Sequence, residues 1–417
     1  MNRVVITGVG AVTPCGSDAE STWEGFKSGR SGVQRIDYYD VDTFPVQIAG
    51  ICSDFDLSQL PDPHVAHYLH RGERFGVAAA AEALRNAGVD GAYAPEDVGV
   101  AIGGSVARPE LQEFSDAFKV RADSEGHEVH RFPPLQTLHN SQGTAVHEIA
   151  RLAGADGAMV GISTACTASA HSIGEALRMI QEGDARMMVA GGFDALTSWC
   201  DLLGFSLLGA LTSDYNGDPE HASRPFDKDR SGFVLGEGSV VMVLEELEAA
   251  RERGAPVMAE LRGYGSSLNA YRMTDPPPDG GGAVIAMNAA LREAGLTPAD
   301  VDYVVAHATS TPAGDVSETV AIKRVFGDEI ERVVVTSPKS MTGHTTCAAS
   351  ALNLLAGLYA MRDGVVSPTI NVDNQDPECD LDCVPNVARE MDVDVVLVNG
   401  FAFGGTNGAL VATRYSE

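Results

Sequence analysis

Short apolar runs with strand character alternate along this chain with stretches whose apolar positions recur at helical spacing. Residues 4–6, 98–102, 159–162, 187–190 and 240–244 are rich in Val, Ile and Met and bounded by glycine or polar turn residues, which predicts five strands. After Arg251-Glu-Arg-Gly-Ala-Pro256 the pattern restarts, and residues 258–261, 303–306, 333–336, 395–398 and 409–412 predict five more. Helical spacing between them, as at Ala170, Ile173, Leu177 and Ile180, makes the fold class α/β, in two comparable halves, residues 1–254 and 255–417. The longest apolar stretch, 352–361, is interrupted by Asn353 and falls short of the roughly 20 residues that span a bilayer, so a buried helix is expected. Asp275-Pro-Pro-Pro-Asp-Gly-Gly-Gly282 predicts a surface loop.

Cys166 lies in Gly161-Ile-Ser-Thr-Ala-Cys-Thr-Ala-Ser-Ala, between a predicted strand and a predicted helix. A helix N-terminus favours thiolate over thiol, so a reactive sulfur is expected there. His307 follows the strand at 303–306 in His-Ala-Thr309-Ser-Thr311-Pro312, and Lys339 and His344 share the loop after 333–336. A further strand ends in the glycine-rich turn Phe401-Ala-Phe403-Gly-Gly-Thr-Asn407. One thiol, two imidazoles and a lysine suit stabilisation of an anion better than hydrolysis, which asks for a carboxylate or amide orienting a single histidine. Gly8-Val-Gly10 offers a weak dinucleotide motif whose third glycine, Gly16, comes too late.

Composition narrows the choice. The 417 residues carry 58 Asp and Glu against 29 Lys and Arg, a formal net charge of -29 with no basic stripe, which argues against nucleic-acid binding. Seven cysteines without a Cys-x-x-Cys pair argue against a disulfide scaffold, and Cys379 with Cys383 lacks a second ligand pair for zinc, so no metal or cofactor is expected. Without a signal-like or membrane-spanning segment, a cytoplasmic location is expected.

Taken in order, these motifs resemble the β-ketoacyl-acyl carrier protein synthases of the thiolase superfamily, the elongating type II enzymes most of all. Val-Val-Ile-Thr-Gly-Val-Gly10, Thr-Ala-Cys166-Thr, Ala222-Ser-Arg-Pro-Phe-Asp-Lys-Asp-Arg-Ser-Gly-Phe-Val-Leu-Gly-Glu-Gly238, Lys339-Ser-Met-Thr-Gly-His344 and Phe403-Gly-Gly-Thr-Asn407 carry the likeness from end to end. The resemblance implies a thiolase-like fold of five layers, αβαβα, and a decarboxylative Claisen condensation of an acyl thioester with malonyl-acyl carrier protein. It implies Cys166 as acyl acceptor, backbone N–H groups of Cys166 and Phe403 as oxyanion hole, His307 and His344 on the malonyl thioester, and Lys339 as electrostatic support partnered by Glu318. Thr309 and Thr311 would hold the phosphopantetheine arm, Phe205 and Phe401 would line the acyl pocket, and Phe403 would act as gate. Arg71, Arg74 and Arg131, with His67 and His70, would dock the acidic carrier protein. A homodimer is implied, pairing through the strand near Met187, with a heterodimer also open.

Four positions depart from the family pattern: Ala308 and Ala402 replace glycines, Arg272 replaces a histidine at the pocket entrance, and Gly209 replaces an arginine. The two alanines would cost about 1 kcal/mol or more if their sites need positive φ. Fatty-acid elongation is the leading expectation, and the ketosynthase of a type II polyketide or polyene pathway the alternative. A non-catalytic partner subunit is disfavoured by the intact Cys166, a thiolase by His344 where a second cysteine would stand.

Overall fold

A computed structural model describes residues 1–106, 111–127, 138 and 141–416. All ten predicted strands form, and they join in one hydrogen-bonded sheet. They are β1 (Val4–Val12), β2 (Val98–Gly103), β3 (Met159–Ile162), β4 (Met187–Ala195), β5 (Glu237–Glu246), β6 (Ala259–Leu268), β7 (Tyr303–Val305), β8 (Val334–Thr336), β9 (Val395–Phe401) and β10 (Thr406–Thr413). Their order in space is β8-β7-β9-β10-β6-β1-β5-β4-β2-β3. Counted outward from the seam between β1 and β6, each set of five runs first, fifth, fourth, second, third.

The seam has the geometry of a two-fold axis. Val4, Val5 and Ile6 pair antiparallel with Leu261, Glu260 and Ala259. Val5 and Glu260 occupy the same place in their respective sets, so equivalent residues face each other, as in a self-complementary interface. The packing repeats as well. Helix α1 (Arg71–Ala87) lies so close on β1 that a Cβ at Gly10 would stand 2.0 Å from the Ala79 carbonyl oxygen. Between β6 and β7, a Cβ at Gly265 would stand 2.0 Å from the Ala286 oxygen of the equivalent helix Gly281–Ala294. Gly8 and Gly10 therefore serve helix–strand contact inside β1 and take no part in a phosphate-binding turn.

Alternation along the strands sorts side chains into layers. Val240, Met242 and Leu244 of β5 point to a central core; Val241 and Val243 point to the opposite face, under α1. The central core also holds α2 (Ala168–Glu182), the later helix Ala349–Asp363 and inward residues of β7, β9 and β10. A third core packs Gly281–Ala294 and α3 (Pro312–Phe326) on the outer face of the second set. With the two five-stranded halves of the sheet packed on either side of the central helices, these are the five layers, helix–sheet–helix–sheet–helix, that the resemblance implies.

One expectation fails. β4, which contains Met187, is hydrogen-bonded to β5 on one side and β2 on the other, so it has no free edge for a second copy. The edges of the sheet are β3 and β8. Among the described residues no helix is long and apolar enough to cross a membrane.

Candidate active site

The chain leaves β3 at Ile162, turns through Ala165 at φ 50, and makes one tight turn, Ala165–Thr167, before α2 begins. That turn holds the Cys166 thiol at the helix entrance, where the sequence places it. The expected thiolate is not the resting form. Burial pushes the thiol up to about 12, outweighing the pull of Lys339 and of the Cys166 and Phe403 backbone N–H groups, which both reach the sulfur. Losing hydration moves a fully buried group by several pKa values, more than one helix end recovers.

His344 reaches the sulfur from the other half. It follows the short helix Lys339–Thr342 and Gly343 at φ 66, and its Nε2 lies 2.9 Å from Cys166 Sγ. His307, just beyond β7, sets its ring 5.3 Å from that of His344 at 85°. Burial, aided by the Lys339 charge, holds both imidazoles well below 6.5, so they are neutral. The Nδ1 atoms of both rings are buried without a hydrogen-bond partner, and no carboxylate orients either.

Lys339 is 1% exposed, and burial brings its ammonium down from 10.5 to about 8. Its Nζ has no hydrogen-bond partner. Glu318, expected to pair with it directly, instead accepts from the backbone N–H of His307 (2.8 Å) and Ala308 (2.6 Å) and from Asn399 Nδ2 (3.0 Å). The carboxylate thus fixes the chain at His307 and acts on Lys339 only through space.

Cys166, His307, Glu318 and His344 open into one cavity of about 660 Å³, with Lys339 buried behind them. Thr309 and Thr311 line it with their hydroxyl oxygens 3.2 Å apart. Phe205, Phe401 and Phe403 form apolar wall, and the Phe401 ring lies 5.7 Å from the His307 ring, tilted by 56°. Phe233, in the motif that begins at Ala222, sits among His344, Phe205 and Phe403 at 5.5, 5.9 and 6.4 Å.

A family model described as "Beta-ketoacyl synthase, N-terminal domain" matches residues 1–250, and "Beta-ketoacyl synthase, C-terminal domain" matches 258–373. The chain belongs to the β-ketoacyl synthase family. It is 41% identical to 3-oxoacyl-(acyl-carrier-protein) synthase 2 of Vibrio harveyi, covering 100% of this chain and 99% of that one. The enzyme of the same name from Synechocystis is 40% identical over 99% of this chain and 98% of its own. A beta-ketoacyl synthase from Burkholderia phymatum superposes with TM-score 0.90 at 33% identity, covering all of both chains. A type II PKS ketosynthase, solved in complex with its acyl-carrier protein and bound to the hexaketide, superposes with TM-score 0.90 at 30% identity, again over all of both chains.

Within this β-ketoacyl synthase fold the departures from the family pattern take on physical meaning. Ala402 is extended, with φ -137, and Ala308 is not among the positive-φ residues, so neither alanine strains the backbone. Gly209 caps its helix, Trp199–Leu208, in the left-handed region at φ 70. Arg272 lines the cavity and pairs with Asp275 at 3.1 Å.

The expected docking arginines are not free surface cations. Arg71 makes a fork with buried Glu237, at 2.5 and 2.8 Å, and Arg74 donates to the carbonyls of Leu69 and Ala66. Arg131 lies outside the described residues.

Two site residues escaped the sequence reading. Asp194, fully buried near the end of β4, accepts from Ser105 Oγ at 2.5 Å, from Thr346 Oγ1 and from the Cys347 N–H at 3.1 Å. A lone acid in an apolar strand was the available signal. Cys347 lines the same cavity and stands where Cys166 stands in the other half: Thr346, at φ 42, opens a one-turn helix that leads into the 15-residue helix Ala349–Asp363. Its thiol, hydrogen-bonded to the Asp194 carboxylate, is pushed well above 9.0 by burial first.

Proposed function

We propose that the protein is a 3-oxoacyl-(acyl-carrier-protein) synthase that lengthens acyl thioesters by two carbons in cytoplasmic fatty-acid synthesis. The observation that carries this reading is the neutral His344 Nε2 at 2.9 Å from a neutral thiol, beside a second neutral imidazole, with no carboxylate behind either ring.

With its pKa near 12, Cys166 attacks only as its proton leaves, and His344 Nε2 is the acceptor within reach. The thiol adds to the carbonyl of an acyl-carrier thioester, and the N–H groups of Cys166 and Phe403 donate to the oxygen that becomes negative. The carrier thiol departs with the proton, leaving the acyl group on Cys166. Phe205 and Phe401 flank the space for its chain.

Malonyl-carrier protein then extends its arm past Thr309 and Thr311 and places its thioester oxygen between His307 and His344. Loss of carbon dioxide leaves the electron pair of the broken bond as an enolate. His307 donates N–H to the enolate oxygen, and so does His344 once its single ring proton has moved to Nε2, the nitrogen that gave the thiol's proton to the carrier; burial first and the Lys339 charge second keep both rings neutral, so neither protonates the carbon. The carbon attacks the acyl-cysteine carbonyl, the C–S bond breaks with its electron pair passing to the Cys166 sulfur, which takes up a proton from solvent to regain its resting thiol, and the 3-oxoacyl product leaves on the carrier.

A homodimer through the outer edge of β3 fits this reading, since Met159 is exposed and the strand has β2 on one side only. A second reading, the ketosynthase of a type II polyketide or polyene pathway with a related partner subunit, is favoured by the likeness to the hexaketide-bound ketosynthase and to the ishigamide ketosynthase/chain length factor, at TM-scores of 0.90 and 0.88. Incubation with acyl- and malonyl-carrier protein, followed by mass spectrometry, tests both. One two-carbon extension supports the first reading, serial extension without reduction supports the second, and hydrolysis alone overturns them together. Cys166→Ala should form no acyl-enzyme.

A further inference from the structure

The two halves can be matched residue by residue around their sulfurs. Val5 and Glu260 are equivalent, so Gly10 answers to Gly265 and, across the strand pairings, Val241 to Ala409 and Gly191 to Asn399. Further along β4 and β9, Asp194 then answers to Ala402, and Ala195 to Phe403. Each ladder carries its irregularity at the same place, opposite Val243 and Leu244 in one and at Val411 and Ala412 in the other. The turns agree as well. A Cβ at Gly192 would meet the Cys347 carbonyl oxygen and Ser169; one at its counterpart Gly400 would meet Ser350 and then the Cys166 oxygen.

This matching picks out one pair of backbone N–H groups in each half. Those of Cys166 and Phe403 reach the Cys166 sulfur, and both residues line the cavity. Their counterparts belong to Cys347 and Ala195, and both donate to a single side chain. The Cys347 N–H meets Asp194 Oδ2 at 3.1 Å, and the Ala195 N–H meets Asp194 Oδ1 at 3.0 Å. The Thr346 hydroxyl and the Cys347 thiol donate to the same buried carboxylate. In the other half the corresponding residue is Ala402, whose methyl group leaves the donor pair free.

We propose that the N–H groups of Cys347 and Ala195 form a second oxyanion hole, that the Asp194 carboxylate is its built-in occupant, and that this plug confines acyl groups to Cys166 although both cysteines line one cavity. Acyl transfer to a thiol turns the carbonyl oxygen negative against such a pair of donors. At Cys347 the donors already hold a negative charge, and a second negative oxygen beside it would be repelled. Without its plug the hole would accept a small carboxylate or the carbonyl of an acyl ester. The proposal goes beyond the condensing reading, which supplies only the role of the matching pair at Cys166.

Asp194→Gly in the full chain empties the hole. Sodium formate at about 0.1 M should then raise Tm by about 2 °C or more over the same concentration of sodium chloride, and should leave the wild type no different from chloride. In a Cys166→Ala background, p-nitrophenyl acetate should acetylate Cys347 about tenfold faster or more once Asp194 is replaced, read by peptide mass spectrometry, and formate should slow it. In that step the S–C bond forms as the ester C–O bond breaks, p-nitrophenolate leaves with the electron pair, and the thiol proton passes to solvent. The converse variant carries the test where Asp194→Gly does not fold. Ala402→Asp should fill the working hole and lower acylation of Cys166 from an acyl-pantetheine thioester by about a hundredfold or more, whereas Ala402→Leu, of similar size without the charge, loses less than about tenfold. A formate response equal in variant and wild type, an unreactive Cys347 in the emptied variant, or equal losses in the two Ala402 variants overturns the plug. A wild type that forms no acyl-enzyme at Cys166 overturns the condensing reading, and the formate result then decides the plug on its own.

Discussion

The Nε2 atom of His344 stands 2.9 Å from the sulfur of Cys166, and the two groups meet uncharged. A thiol raised to about 12 beside a ring held well below 6.5 gives up no proton at rest. The nucleophile is therefore made as the substrate arrives, which protects the sulfur between turnovers.

Alkylation exposes this directly. With iodoacetamide, the rate at Cys166, taken against Cys166→Ala as blank, should keep climbing beyond pH 9, following a thiol near 12. A free cysteine would level off above about 8.5. A plateau already reached at pH 8 would mean a preformed thiolate.

Lys339 makes the stability of the fold depend on alkaline pH. Its ammonium is brought down from 10.5 to about 8, chiefly by burial, with Glu318 opposing. Between those values the unfolded chain binds more protons than the native one, so this lysine's contribution becomes more favourable as pH rises and is least favourable below 8. A displacement of this size corresponds to about 3 kcal/mol. Lys339→Met should therefore gain on the wild type in urea midpoint below pH 8 and lose that advantage by pH 10.5. A pH-independent difference would show that Lys339 does not titrate in that window.

Glu318 positions His307 by accepting its backbone N–H and that of Ala308. Glu318→Gln turns one of these acceptors into a donor facing a donor, a loss of about 1–3 kcal/mol. Malonyl decarboxylation should fall about tenfold or more, while acylation of Cys166 changes by less than about threefold. Equal losses in the two half-reactions would assign Glu318 to the fold alone.

Gly10→Ala and Gly265→Ala probe the internal repeat, since each new methyl would meet a helix carbonyl oxygen at 2.0 Å. Each should cost about 1–3 kcal/mol or more in urea unfolding, by similar amounts. Gly217→Ala, with no atom within 4 Å, should stay within about 0.5 kcal/mol. An unequal pair would mean that the two helix–strand contacts are not equivalent.

The strands were legible because each is a short apolar run closed by turn residues, and Cys166, His307 and His344 because each follows such a run. Charge states were not: the helix entrance at Cys166 suggested a thiolate, and only the depth of the cavity reverses the sign. Arg71 read as a surface cation because Glu237, 166 positions away, becomes a neighbour only on folding, and Arg74 because its turn back onto the carbonyls of Leu69 and Ala66 leaves no mark in the sequence. Cys347 was hidden by distance in sequence, although Thr-Thr-Cys-Ala-Ala-Ser-Ala351 echoes Thr-Ala-Cys-Thr-Ala-Ser-Ala170.

That echo gives the antiparallel meeting of Val5 with Glu260 its consequence. A two-fold arrangement brings two copies of one turn to one cavity and so offers the same thiol twice. Only broken symmetry makes use of it: one sulfur faces an imidazole and can be freed, while its twin faces the Asp194 carboxylate and is silenced. The fold is that of a dimer joined in a single chain, and on the proposed function its two halves divide between them the carrying of an acyl group and the making of the carbon that attacks it.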